Sequence, residues 1–229
     1  MTEDARDRLV LVLDLEDLDQ ARILAERLSP WFGAAKVGYE LYGSVGPAAF
    51  DAVHDLGLGV FADLKLYDIP NTVAGGARAL GRHGIEWLNF HAAGGADMLR
   101  AGVDAFREGA RDAGHAEPVA LGVTVLTSET STDAFAERLA WCREGGCDGV
   151  VCSAYEAGVA RKGGLTSMVP GIRLAGSDVN DQARVATPYE AITQGATWLV
   201  IGRTVTAAAD PERAAAEVHA EVEKALAFG

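Results

Sequence analysis

The sequence predicts a closed (β/α)8 barrel, and three observations carry that reading. Eight short apolar, β-branched runs recur along the chain, stretches with helical spacing lie between them, and polar or charged residues collect where the runs end. Near-continuous apolar strands separated by single helices argue for a parallel sheet covered by helices, and a count of eight favours closure. The alternative is an open doubly wound sheet, but no G-x-G-x-x-G follows the first strand. The expected organisation is one barrel domain over residues 1–229, since no low-complexity linker interrupts the pattern.

The first strand is expected at 9–15, "LVLVLDL", followed by the helical spacing of "LDQARILAERL". The acidic "EDLD" that overlaps the start of this helix suits the positive end of its dipole. The second strand is expected at 34–41, "AAKVGYEL", and the third at 59–66, "GVFADLKL", leading into the helical "PNTVAGGARALGRHG". Strand 4, "WLNFHAA" at 87–93, precedes "ADMLRAGVDAFREGARDAG"; strand 5, "PVALGVTVL" at 118–126, precedes "TDAFAERLAWCREGG". Strand 6 is expected at 149–154, strand 7 at 168–172 as "MVPGI", and strand 8 at 198–203, with "DPERAAAEVHAEVEKALAF" as the terminal helix. Glycines fall at the turns, where tight geometry needs them, and the four tryptophans are expected between helices and barrel.

Composition narrows the function classes. With 49% hydrophobic and 23% charged residues, the 229-residue chain reads as globular, neither disordered nor collagen-like. No apolar run approaches the ~18 residues that span a bilayer, and "MTEDARDR" is charged rather than signal-like, so the expected location is cytoplasmic with no membrane partner. A formal charge of −13 repels polyanions, which argues against a nucleic-acid partner but leaves room for a small phosphorylated substrate held by local donors. Cys142, Cys147 and Cys152, five apart, match neither a disulfide framework nor a zinc-binding pair spacing, and are expected to be reduced, half-buried packing residues.

A barrel demands that chemistry sit at the C-terminal ends of its strands. Asp14 closes strand 1, Lys36 lies in strand 2, Asp63 and Lys65 in strand 3, and His91 ends strand 4; Thr127 and Ser128 follow strand 5, Arg173 follows strand 7, and Arg203 ends strand 8. The stretch "FADLKLYDIPNTV" is the sharpest anomaly, because three ionisable groups in apolar sequence are costly unless paired. Strand periodicity puts Asp63 and Lys65 on one face, whereas Asp68 has the opposite parity and lies where strand should become loop. A structural ion pair would explain Asp63 and Lys65 as well as a functional one does; Lys36 in the adjacent strand tips the balance towards a network that places an ammonium against a reacting carbon. At the other end, "VPGIR" and "VIGRTV" suit a phosphate site between strands 7 and 8, with Gly202 allowing close backbone approach and Arg203 supplying a fork. His54, His83, His115 and His219 are expected at the surface, and His91, without a partner at metal spacing, as packing beside the site.

The run "DLKLYDIPNT" resembles the D-x-K-x-x-D-I-P-N-T signature of the orotidine 5'-monophosphate decarboxylases. "LVLDL", "AAKVGYEL", "FHAAGG", "VTVLTS", "VPGIR", "DQARVATP" and "VIGRTV" resemble that family's other blocks, in its order, from Val10 to about Val205. The resemblance implies a homodimeric (β/α)8 barrel that converts orotidine 5'-monophosphate to uridine 5'-monophosphate, the last step of de novo UMP synthesis, with neither metal nor organic cofactor. It implies that Lys65 protonates carbon 6 of the pyrimidine and that Asp63 stands beside the leaving carboxylate. Asp68, Ile69 and Thr72 would enter the neighbouring subunit's site. Asp14 and Lys36 would bond ribose hydroxyls, Lys36 also completing the charge network, and Thr127 would bond the pyrimidine. Gln182, Gly202, Arg203 and Arg173 would hold the phosphate, with about 174–182 closing as a lid. The compact stretch from Thr127 to Pro170 departs from many relatives in its short strand 6 and helix 6. Two other readings are metal-dependent sugar-phosphate decarboxylases and aldolases of the same barrel group, whose D-x-K-x-x-D typically runs on as Ala-Gly rather than "IPNT", and a non-catalytic nucleotide-binding barrel.

Overall fold

The computed structural model describes residues 4–126, 132–174 and 185–228. Eight parallel strands close into a barrel in sequence order, β1 pairing with both β2 and β8. They are β1 (Leu9–Leu13), β2 (Ala34–Val37), β3 (Gly59–Leu66), β4 (Trp87–His91), β5 (Val119–Val123), β6 (Gly149–Val151), β7 (Thr166–Val169) and β8 (Trp198–Ile201). The covering layer holds α1 (Leu18–Leu28), α2 (Tyr39–Val45), α3 (Ala48–His54), α4 (Pro70–Gly81), α5 (Gly95–Asp112), α6 (Phe135–Glu144), α7 (Ala154–Lys162), α8 (Pro188–Thr193), α9 (Arg203–Thr206) and α10 (Pro211–Phe228).

Strand alternation sorts the apolar residues into two cores. Leu9, Leu11, Leu13, Ala35, Val37, Val60, Ala62, Leu199 and Ile201 point outward into the layer between sheet and helices. Val10, Val12, Ala34, Phe61, Leu121, Met168 and Val200 fill the barrel interior. Both faces of every strand are therefore buried, which is why the strands read as continuous apolar runs. Trp87 and Trp198 meet edge-on, 5.5 Å between ring centres, inside the barrel rather than between helix and sheet as expected. Trp31 and Trp141 do pack on the outer layer.

Several boundaries differ from expectation. β2 stops at Val37, because Gly38 turns the chain and Tyr39 already begins a helix. β7 occupies Thr166–Val169, earlier than the expected 168–172, since Pro170 has no N–H for the ladder. Its polar Ser167 is accommodated by reciprocal bonds with Thr197, Ser167 N to Thr197 Oγ1 at 3.1 Å and Thr197 N to Ser167 Oγ at 3.2 Å. The three cysteines are buried rather than half-buried, and none forms a disulfide. The Cys142 hydrogen bond, with burial, holds the Cys147 thiol well above its ordinary range. As expected, the acidic start of α1 caps it: the Asp17 side chain accepts from Gln20 N at 2.8 Å.

The N-terminal end of the barrel is tied by carboxylates. Glu86 Oε2 accepts from Val60 N at 2.6 Å, and Asp148 Oδ2 accepts from Ala120 N at 2.8 Å while its other oxygen takes Arg107 Nη2 at 2.6 Å. These groups satisfy strand ends at the face where barrels invest in stability rather than chemistry. Helix α4, which carries the chain out of β3, lies close against α5: a Cβ at Gly81 would collide with the Phe106 carbonyl, and one at Gly109 with the Arg78 carbonyl. Only glycine lets the two helices approach this far.

Candidate active site

The C-terminal mouth of the barrel is a cleft of about 500 Å³. Asp14, Lys36, Asp63 and Lys65 line one side of it; Arg173, Gly202, Arg203 and Thr206 line the part beyond β7 and β8. In a closed eight-stranded barrel β7 is four strands from β3, so the cluster containing Asp63 and Lys65 and the Arg173 guanidinium lie on opposite sides of the mouth.

The inward parity of β2 and β3 places the first cluster. Lys36 follows Ala34 and Asp63 follows Phe61 on the interior face, and β-ladder register sets Lys36 beside Phe61. Lys36 Nζ donates to Asp14 Oδ1 at 2.9 Å and lies 3.4 Å from Asp63 Oδ2; Lys65 Nζ donates to Asp63 Oδ1 at 2.6 Å. Two ammoniums and two carboxylates thus alternate as Asp14, Lys36, Asp63, Lys65. The Asp63 side chain is 15% exposed and that of Lys36 10%, so neither charge would be tolerable alone. Burial by itself would push the Asp63 carboxyl up; attraction to Lys36 and Lys65 and the hydrogen bonds from Lys65 and Asn89 overcome it and hold the group below its ordinary value. The carboxylate is therefore fixed as an anion with an ammonium on each oxygen.

Strand alternation is not what brings Lys65 to Asp63. Ala62 pairs with Leu88 and Leu66 with Phe90, so three residues of β3, Asp63 to Lys65, stand opposite the single Asn89. Within that bulge Lys65 has φ +44°, the only positive φ at a non-glycine among the described residues, a conformation that costs ~1–2 kcal/mol. Asn89 is 0% exposed and uses both ends of its amide, Oδ1 accepting from Lys65 N at 2.7 Å and Nδ2 donating to Asp63 Oδ1 at 2.7 Å. The Tyr39 hydroxyl donates to the Leu64 carbonyl at 2.8 Å, and Lys65 Nζ lies 5.8 Å from the centre of its ring. Burial, then the Asp63 charge, raises the Tyr39 phenol above its ordinary value and keeps it a donor. Sequence reasoning missed Asn89 and Tyr39. The available signal was Asn89 itself, a polar residue sharing parity with the inward Trp87 on an apolar strand.

Asp68, Ile69 and Thr72 do not enter this cleft. All three are exposed, Asp68 and Ile69 (65%) on the turn into α4 and Thr72 in its first turn, with Asp68 Oδ1 accepting from Ile69 N at 2.6 Å. Tyr39 and Tyr67, also largely exposed, stand with Ile69 among the few large exposed apolar side chains.

On the far side, Arg173 lines the cleft but is only 8% exposed. Its Nη1 donates to the Ile172 carbonyl at 2.9 Å and to Thr204 Oγ1 at 3.2 Å, tying the loop after β7 to α9. Arg203 opens α9, and a Cβ at the preceding Gly202 would meet Val12 only at ordinary contact distance, 3.5 Å. His91 packs against Tyr67, ring centres 5.7 Å apart, and its Nδ1 accepts from Ala93 N. Thr127, Ser128, Gln182 and nearly all of the expected lid lie outside the described residues.

The family model described as "Orotidine 5'-phosphate decarboxylase / HUMPS family" matches residues 7–218. A protein of Moorella thermoacetica named orotidine 5'-phosphate decarboxylase is 46% identical over 235 residues, covering 96% of this chain and 93% of the relative. One of the same name from Syntrophomonas wolfei is 39% identical, covering 96% and 99%. The crystal structure of orotidine 5'-phosphate decarboxylase from Lactobacillus acidophilus, 32% identical, superimposes with a TM-score of 0.78 over 94% of this chain and 99% of that chain.

Proposed function

The chain belongs to the orotidine 5'-phosphate decarboxylase / HUMPS family, and on that premise we propose how its cleft decarboxylates orotidine 5'-monophosphate to uridine 5'-monophosphate and carbon dioxide in pyrimidine biosynthesis. The observation that carries the mechanism is the Lys65 ammonium held 2.6 Å from a buried Asp63 whose other oxygen faces Lys36. Breaking the bond between carbon 6 and the carboxylate leaves the electron pair on carbon 6 as a vinylic carbanion, very unstable in water. An ammonium fixed beside that carbon stabilises the developing charge and supplies the proton that completes the product; solvent then reprotonates the Lys65 amine. Asp63 holds Lys65 and, lying near the substrate carboxylate, favours the route that loses that negative group.

The rest of the cleft suits the rest of the substrate. Asp14 and Lys36 offer an acceptor and a donor to ribose hydroxyls. Arg203 and Gly202, with Arg173, face the phosphate across the mouth, and Thr127 and Gln182 complete the contacts to base and phosphate. Binding energy from the remote phosphate can drive closure and exclude water, which strengthens the charge network at carbon 6. The chain works as one barrel domain, and a homodimer supplies Asp68, Ile69 and Thr72 to the partner's site. In support, these residues and the aromatic Tyr39 and Tyr67 are exposed beside the cleft instead of turning into it.

The donor set argues against the metal-dependent reading. Both Asp63 oxygens and one oxygen of Asp14 already engage ammonium groups, so the carboxylates of the cleft are committed to lysines rather than open to a cation. The test is direct: purified protein should convert the absorbance of orotidine 5'-monophosphate to that of the uridine nucleotide. Folded protein with no turnover would reject the proposal.

A further inference from the structure

The Leu64–Lys65 peptide has no regular ladder partner, because β3 carries Asp63 to Lys65 opposite the single residue Asn89. Side chains replace the ladder on both sides of that one peptide unit. Its carbonyl, that of Leu64, accepts from the Tyr39 hydroxyl at 2.8 Å, and its N–H, that of Lys65, donates to Asn89 Oδ1 at 2.7 Å. We propose that Asn89 and Tyr39 are positioning residues that clamp this peptide from its two sides and hold Lys65 in the left-handed conformation that sets its ammonium on Asp63.

The chemistry selects asparagine. Position 89 must accept from a backbone N–H and at the same time donate to a carboxylate, Asp63 Oδ1 at 2.7 Å. Only one orientation of the amide does both, so its direction is fixed by its partners. An ionised aspartate there could accept but not donate, and would set a second anion against Asp63; an apolar residue would do neither. Asn89 is fully buried, arises from the neighbouring strand and is itself locked in the β4–β5 ladder opposite Leu121, so the clamp is anchored on a rigid element. Without it, Lys65 is free to relax to negative φ, which re-aims its side chain while leaving the substrate's ribose and phosphate contacts in place.

The inference rests on Lys65 being the proton donor, so the experiment pairs kinetics with a readout independent of turnover. Native protein, Asn89→Ala, Asn89→Asp and Tyr39→Phe are compared by steady-state decarboxylation and by amide hydrogen exchange of the peptide spanning residues 61–67. Asn89→Ala should lower kcat by about 100-fold, the scale of an ångström-level misplacement, with KM within about three-fold and faster exchange at the Lys65 amide. Asn89→Asp keeps the acceptor, so exchange should stay near native while kcat still falls. Tyr39→Phe keeps the ring and should lower kcat by about five-fold while melting temperature falls by no more than about 2–4 °C, the scale of losing one neutral hydrogen bond. Native kcat in Asn89→Ala, or a parallel loss of kcat, KM and melting temperature, would overturn the clamp. Should Asn89→Ala not fold, native kcat in both Asn89→Asp and Tyr39→Phe would do the same. A native protein with no turnover would reject the reaction instead, and native exchange in Asn89→Ala would still reject the clamp.

Discussion

Replacing Lys65 by alanine removes the ammonium and leaves the rest of the cluster standing. Asp63 keeps Lys36 at 3.4 Å and the Asn89 amide at 2.7 Å, and alanine inherits the same backbone position. The Lys65 side chain is 27% exposed, so the lost ion pair should cost only about 1 kcal/mol of stability, or about 2–4 °C in melting temperature. The catalytic loss should be far larger. A cation about 4 Å from a unit negative charge, at an effective dielectric constant of about 20, contributes roughly 4 kcal/mol, or about a thousand-fold in rate. Removal of the positioned proton donor adds about 10² to 10⁴, giving a total fall in kcat of roughly 10⁵ to 10⁷. The assay is single-turnover conversion of orotidine 5'-monophosphate with enzyme in excess, followed by absorbance and by chromatographic separation of product. A loss of less than a hundred-fold in a folded variant would refute the argument, because neither the electrostatic nor the proton-transfer contribution could then be centred on Lys65.

Other outcomes follow from the same geometry. Lys65→Ala and Asp68→Ala proteins, each nearly inactive, should recover about a quarter of native activity after subunit exchange, because half of the dimers are hybrids with one intact site of two; no recovery despite proven exchange would count against a shared site. Gly38→Ala would bring a Cβ to 2.7 Å from Lys36 Nζ and 3.1 Å from Asp14 Oδ1, with an ordinary backbone φ of −100°. Because Lys36 can swing away, the fold should survive while catalytic efficiency falls about ten-fold, as a displaced charge requires. Glu86→Ala, at the opposite end of the barrel, should leave kcat unchanged but strand the Val60 N–H at a cost of about 1–3 kcal/mol, read as a lower melting temperature. Asp63 titrates below its ordinary value, so its ionised form contributes stability that is present above the usual carboxylate range and lost as pH falls towards its own lower pKa. The native protein should therefore lose melting temperature relative to Asp63→Asn below about pH 4.

The barrel was legible because its strands are buried on both faces: β3 and α1 fall where the apolar runs and helical spacing place them, at Gly59–Leu66 and Leu18–Leu28. Boundaries at turns were less so. "GYEL" carries the apolar residues of a strand, yet Gly38 breaks the ladder and tertiary packing buries Leu41 on a helix. Trp87 and Trp198 look like any other aromatic strand residues until closure places them inside. The charge network was readable as Asp and Lys at inward parity in adjacent strands. Its bulge was not, because three residues opposite one is a property of the pairing between β3 and β4, not of either strand alone. Asn89 and Tyr39 matter only once that pairing exists, and their letters carry no charge to draw attention.

The charge network around Asp63 and Lys65 predicts that this cleft releases carbon dioxide from orotidine 5'-monophosphate through its own side chains. The most direct measurement uses substrate labelled in the carboxylate, native protein and excess EDTA, counting labelled carbon dioxide against uridine 5'-monophosphate formed. One carbon dioxide per uridine nucleotide, at a rate unchanged by the chelator, is the predicted result; turnover abolished by EDTA, or product formed without matching release of the label, would contradict it.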